Sequence, residues 1–179
     1  MSHNVQRYVY FENNPRKKGI FVNDETTHNM EITETLALTR LGVSLLLGGA
    51  IGLERMVHKH PAGMRTFMLI CLGSTLATLA SIYICQTNLD LHNGDPGRIA
   101  AQILTGIGFI GAGLIIKTND GVSGITTASS IFITAAIGIA VGVGMLLTAV
   151  IVTAVVLVIL ASGYYARKKQ LQKDAQSKL

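Results

Sequence analysis

Residues 124–163 contain no charged side chain. Forty residues in one α-helix would extend about 60 Å, twice the roughly 30 Å of a bilayer's hydrocarbon core. The stretch therefore has to reverse direction, and Gly142-Val143-Gly144 is the expected break. This predicts two spans, at about 124–142 and 145–163. Composition agrees: 49% of residues are hydrophobic and 14% are charged, against roughly 25% charged in soluble domains. Three earlier apolar runs, at about 35–53, 65–85 and 96–116, complete an all-α, polytopic membrane protein with five transmembrane helices. The domain itself is bounded at 34–165. It lies between a polar, flexible tail at 1–33 and a basic tail at 166–179.

Charge in the connections orients the bundle. The first connection carries Arg55, Lys59 and Arg65 against Glu54, and the C-terminal tail is basic. The 86–98 connection holds Asp90 and Asp95 against Arg98. The first connection and the C-terminus are therefore cytoplasmic, and the N-terminus is outside. Arg16, Lys17 and Lys18 oppose this, while Asp24, Glu25, Glu31 and Glu34 lie nearer the first span. Met30 opens a natural start, MEITETLALTR, and translation is expected to begin there; an intact mass that includes Met1–Asn29 would sink the idea. Residues 1–33 hold no apolar h-region of a signal peptide. The net charge of +5 is accounted for by the positive-inside bias, so no nucleic acid is expected as a partner. Cys71 and Cys85 lie about 21 Å apart along one helix, too far for a disulfide.

Ionisable groups at the mouths of spans are costly and mark registry or function. Arg40 falls inside the first span and is expected to snorkel. Glu54 and Arg55 end that span, Arg65 opens the second in AGMRT, and Lys117 closes the third. Asp95 is the expected N-cap of the third helix, with Pro96 at its first position. Arg98 stands three residues on and Gln102 four beyond it, so the three share a face and form a polar line from outside. Glu54 and Arg65 are expected to form a matching cytoplasmic cluster. Asp95 and Glu54 are the carboxylates that would meet a cation, yet an arginine beside each lowers cation affinity. Magnesium prefers oxygen ligands, but the ligand spacing does not support a site, and no cofactor is expected. His58-Lys59-His60 is read as a solvated loop, and no arrangement of nucleophile and base points to an enzyme.

Gly106-Ile107-Gly108-Phe109-Ile110-Gly111 matches GxGxxG. A dinucleotide site needs a preceding strand, a helix opening at the glycines and a distant acid. These glycines lie inside an apolar run, so that reading fails. Close helix packing explains them better. Small residues recur four apart at Gly48/Gly52, Gly73/Ala77, Gly108/Ala112 and Gly138/Gly142. The packing face is expected to include Gly106, Gly108, Gly111, Gly113, Gly138 and Gly142. This predicts a tight bundle, with a homo-oligomer or another membrane protein as partner. Thr126, Thr127, Ser129, Ser130 and Thr134 are expected to bond back to carbonyls one turn earlier, with contact to Thr105 or Gln102 across helices, or the lining of a pathway, as the alternatives.

Four segments, GGAIGLER (48–55), AGMRT (62–66), DPGRIAAQILTGIGFIGAG (95–113) and GITTASSIFITAAIGIAVGVG (124–144), together resemble the MgtC/SapB family of bacterial inner-membrane proteins. The resemblance covers about 35–163. It implies a multi-pass inner-membrane protein associated with magnesium limitation, ionic stress and, in some members, virulence. On the matching motifs it points to Glu54, Arg55, Gly63, Arg65, Thr66, Asp95, Arg98, Gln102, Gly111, Gly113, Thr126 and Thr127. Phe132 replaces the tryptophan usual after the family's TTA motif. Long members carry a soluble C-terminal domain and are linked to inhibition of the ATP synthase. This chain ends thirteen residues after Ala166, so a short form without that domain is expected. The expected function is non-enzymatic binding of another membrane complex, with a cation or proton pathway as the alternative.

Overall fold

The computed structural model describes residues 33–87, 95, 97–119 and 121–176. Expectations for residues 1–32 and for Pro96 lie outside the described residues. Five helices follow in order: α1 (Glu34–Val57), α2 (Met64–Thr87), α3 (Gly97–Leu114), α4 (Ile125–Val143) and α5 (Leu146–Gln176). Each is long and apolar enough to cross a membrane. Between α3 and α4 lies an antiparallel hairpin of β1 (Ile116–Thr118) and β2 (Gly121–Ser123), in which Lys117 pairs with Val122.

Three boundaries differ from expectation. The third helix stops at Leu114, so Lys117 sits exposed on β1 rather than closing a span. α1 continues to Val57, which places Glu54 and Arg55 inside its last turns. α5 runs to Gln176, so the tail after Gly163 begins as a helical continuation. Charge lowers hydropathy without breaking a helix, so apolar runs understate helix length wherever a span projects into water.

The reversal at Gly144 follows from backbone chemistry. Gly144 adopts φ 104°, a left-handed conformation that glycine reaches without steric cost. Its N–H bonds to the Val141 carbonyl at 3.0 Å, and the Met145 N–H to the Ala140 carbonyl at 2.9 Å. One further carbonyl of the last turn, that of Gly142, accepts from Arg40 Nη1 at 2.7 Å. Arg40 therefore does not snorkel to the interface alone. It caps α4 from α1, where a cation also complements the negative end of the helix dipole.

α2 is held between α1 and α4 by glycine. A Cβ on Gly48 would lie 2.7 Å from the Phe67 carbonyl oxygen, and one on Gly52 2.5 Å from Met64 Cα. On the opposite side, a Cβ on Gly138 would lie 2.5 Å from the Cys71 carbonyl oxygen, and one on Gly142 2.6 Å from Thr78 Cβ. Such approach gathers the dispersion contacts that must replace hydrophobic driving force within lipid. It also lets Thr75 Oγ1 donate across to the Gly138 carbonyl at 2.8 Å. Ile51, Phe67, Cys71, Ile131 and Val141 fill the core around this crossing. Cys71 and Cys85 are both free thiols.

Two of the four expected small-residue pairs pack in this way. Gly73 has no atom within 4 Å of its would-be Cβ, nor do Gly106, Gly108 and Gly113 on α3. Of the expected packing glycines on α3, Gly111 faces a neighbour, with Ala128 Cβ at 3.7 Å. The expected glycine face of α3 is thus largely unpacked among the described residues. The cause is geometric: Ile107, Gly111 and Leu114 share the side of α3 that packs inward, and Gly106, Gly108 and Gly113 fall on either flank of it.

The candidate functional site

At the end assigned to the cytoplasm, α1 closes with a left-handed residue. Lys59 has φ 54°, its N–H bonds to the Met56 carbonyl at 3.1 Å, and His60 N–H bonds to the Arg55 carbonyl at 3.1 Å. This is the pattern that usually employs glycine. The connection then turns back, burying Ala62 in the core cluster with Ile51 and Phe67, and Gly63 leads into α2. The carbonyl of Gly63 accepts from Thr66 N–H at 3.1 Å and from Phe67 N–H at 3.3 Å.

Inside this cap lie Glu54, Arg55 and His58. The Arg55 side chain is 3% exposed and that of Glu54 12%. Arg55 Nη1 stands 3.7 Å from Glu54 Oε2, longer than the 2.7–2.9 Å of a charge-assisted hydrogen bond. His58 Nδ1 lies 2.9 Å from the Glu54 carbonyl oxygen and 3.0 Å from Oε1. A carbonyl only accepts, so Nδ1 carries the proton and directs it there. Both carboxylate oxygens of Glu54 and the Nε and Nη2 of Arg55 are buried without a hydrogen-bond partner. His58 is thus drawn into the cluster rather than left as a solvated loop.

The expected Glu54–Arg65 cluster does not form. Arg65 and Thr66 are exposed on the first turn of α2, and Glu54 takes as its charge partners Arg55 beside it and His58 just past the end of α1. The outer head is also different from expectation. Asp95 Oδ1 accepts from Gly97 N–H at 2.8 Å and the Asp95 carbonyl from Arg98 N–H at 3.1 Å, so Asp95 is the N-cap. Arg98 and Gln102 are exposed, and among the described residues no ion pair joins Asp95 to Arg98. Gln102 lines a 380 Å³ groove between α2 and α3, together with Gly73, Ser74 and Gly106. The shared helix face is real, but its side chains extend outward.

On α4, Thr127 is buried and Thr126 exposed. Ser129, Ser130 and Thr134 donate to the carbonyls of Ile125, Thr126 and Ser130 at 2.7–2.9 Å. These hydroxyls are therefore satisfied within their own helix. Thr105 likewise bonds to the Ala101 carbonyl at 3.0 Å.

Two positions escaped the sequence reading. Gly124, at φ 88°, has the Leu114 carbonyl oxygen where a Cβ would stand, so it pins the end of α3 to the start of α4. A glycine directly before a long uncharged run was the available signal. Arg40 was legible as a charge inside a span, but its partner 102 residues away was not. Among the described residues, no three His, Cys, Asp or Glu side chains gather to hold a metal ion.

Comparison with known proteins bears on the whole bundle. A model of the MgtC family matches residues 41–168. The chain is 48% identical over 110 residues to "Putative magnesium transporter YhiD" of Escherichia coli (strain K12), covering 60% of this chain and 51% of that one. It is 41% identical over 110 residues to Protein SapB of Bacillus subtilis (strain 168), covering 60% and 47%. It is 36% identical over 119 residues to Protein MgtC of Brucella abortus (strain 2308), covering 66% and 48%. The chain thus spans about half the length of these curated relatives. No solved structure matches. The matched span takes in α1 from Leu41 onward and the membrane-crossing lengths of the other four helices, and this multi-pass membrane protein belongs to the MgtC family.

Proposed function

We propose that the protein resides in the bacterial inner membrane, supports adaptation to magnesium limitation or ionic stress, and acts without enzymatic chemistry by binding another membrane complex. The observation that carries this reading is the set of unpacked glycines on the two flanks of α3. Gly106, Gly108 and Gly113 meet nothing within 4 Å, whereas the glycines of α1 and α4 are packed against α2. Phe109, 78% exposed, projects from the same helix. A groove with Gly73 on one wall and Gly106 on the other offers an incoming helix the close approach that lipid-embedded interfaces use.

The test is co-purification from mild detergent after crosslinking. Gly108→Leu should lose a membrane partner while the bundle stays folded, because the added side chain enters open space. Gly111→Leu should instead disturb the α3–α4 contact at Ala128. Retention of the same partner set in Gly108→Leu would overturn the reading.

The name of the Escherichia coli relative favours a second reading, transport of magnesium or another cation. Asp95 and Glu54 are then the carboxylates of interest. Flux into liposomes followed with ion-sensitive dyes, and lost in Asp95→Asn, would support it.

A further inference from the structure

Arg55 is the one charged side chain of the candidate site that is almost wholly buried, and its pattern of contacts is lopsided. Nη1 faces the Glu54 carboxylate at 3.7 Å. Nε and Nη2 are buried with no hydrogen-bond partner. Those two nitrogens present their N–H groups along one edge of the guanidinium, the fork that binds a carboxylate or phosphate through two parallel bonds. Neither nitrogen of that edge is used within the fold, while the opposite flank faces the countercharge.

We propose that this fork is the recognition point for an oxyanion of the phosphate class at the cytoplasmic end of the bundle. The inference goes beyond the functional readings above and needs neither of them. A fork of donors excludes a cation as direct ligand. Glu54 does not use it, being on the other flank and beyond hydrogen-bond length. The turn of α1 that carries Arg55 also runs beside the first turn of α2. Gly52 packs on Met64 Cα there, so the positive end of a helix dipole lies close by and adds to the preference for an anion.

On this proposal, access is by way of the connection at 58–63. His60 N–H holds the Arg55 carbonyl, His58 holds the Glu54 carbonyl, and Lys59 between them occupies a left-handed conformation that is costly for a side chain with a Cβ. On this proposal, lifting this segment releases that strain and gives access to the fork. Phosphate chemistry reaches this end of the bundle from two sources, the headgroups of the inner leaflet and free phosphate in the cytoplasm.

The full chain in detergent micelles provides the test. Thermal unfolding is followed with inorganic phosphate and with chloride at matched ionic strength. Native mass spectrometry then reads retained lipid after extraction from nanodiscs containing phosphatidylglycerol. Arg55→Lys keeps the charge and loses the fork, so it should weaken binding about tenfold or more. Glu54→Gln removes the neighbouring negative charge and should tighten it, an effect that a purely structural ion pair would not produce. Arg98→Gln, an exposed cation at the other end, should leave it unchanged.

A phosphate-dependent rise in midpoint that Arg55→Lys abolishes identifies free phosphate. Retained phosphatidylglycerol that Arg55→Lys loses, with no response to phosphate, identifies a headgroup. Identical behaviour of wild type and Arg55→Lys in both arms refutes the proposal. Should Arg55→Lys fail to fold, Glu54→Gln decides: unchanged binding of both probes refutes it equally.

Discussion

Gly138→Ala puts the packing argument at risk. A methyl group there would lie 2.5 Å from the Cys71 carbonyl oxygen and 2.8 Å from Ser74 Cβ. Ordinary contact begins near 3.4 Å, so α2 and α4 have to part by roughly 0.6–0.9 Å. Forcing a methyl into a packed interface costs about 1–3 kcal/mol. Parting the helices also stretches the Thr75–Gly138 hydrogen bond from its 2.8 Å. Interhelical bonds of this kind contribute about 0.6 kcal/mol on average and about 1.7 at most within membranes. Against this, replacing glycine by alanine inside a helix gains at most about 1 kcal/mol. The net expectation is a loss of about 1–3 kcal/mol.

Gly108→Ala supplies the control, since its methyl meets nothing within 4 Å and only the helix-propensity gain remains. Reversible unfolding in mixed micelles, driven by increasing fractions of dodecyl sulfate, measures both. The two variants should differ by about 2–4 kcal/mol. Thr75→Val added to each background reports on the mechanism. Its cost should persist beside Gly108→Ala and fall toward zero beside Gly138→Ala, because the bond is already broken there. Equal stability of the two glycine variants, with an unchanged cost of Thr75→Val, would refute the claim that close approach at Gly138 holds the bundle.

Gly124→Ala should prevent proper closure of the α3–hairpin–α4 junction, since its methyl would coincide with the Leu114 carbonyl; Gly121→Ala, with φ 137° but free space, should cost only backbone strain of about 1–2 kcal/mol. Protease sensitivity of the hairpin separates the two. Arg40→Gln should lose about 1.5–3 kcal/mol by weakening a charge-assisted bond to the Gly142 carbonyl, with raised hydrogen exchange confined to the last turn of α4. At the mouth of α3, Arg98→Gln should be nearly silent in unfolding, whereas Asp95→Ala should cost about 1 kcal/mol by removing the bond to Gly97 N–H. A large effect of Arg98→Gln would show that an ion pair across the helix mouth had been overlooked.

What could be read from the sequence is what neighbours along the chain decide. Forty uncharged residues cannot cross a bilayer once, so the reversal near Gly144 followed from length and from glycine's access to positive φ. Asp95 as an N-cap and the back-bonded hydroxyls of α4 are likewise contacts within a few residues. The five spans and the family motifs belong to the same class. What only the tertiary structure decided is which faces meet. Each helix is apolar nearly all round, and lipid is as apolar as leucine, so hydropathy says nothing about which glycines face a neighbour. Gly48, Gly52, Gly138 and Gly142 pack against α2, while Gly106, Gly108 and Gly113 remain open, although all carry the same local signal. Arg40 and Arg55 look alike in sequence as charges near the ends of one span. The fold gives one a carbonyl 102 residues away and buries the other with two of its nitrogens unpartnered, because a charged group in lipid takes its meaning from the partner that the bundle brings to it.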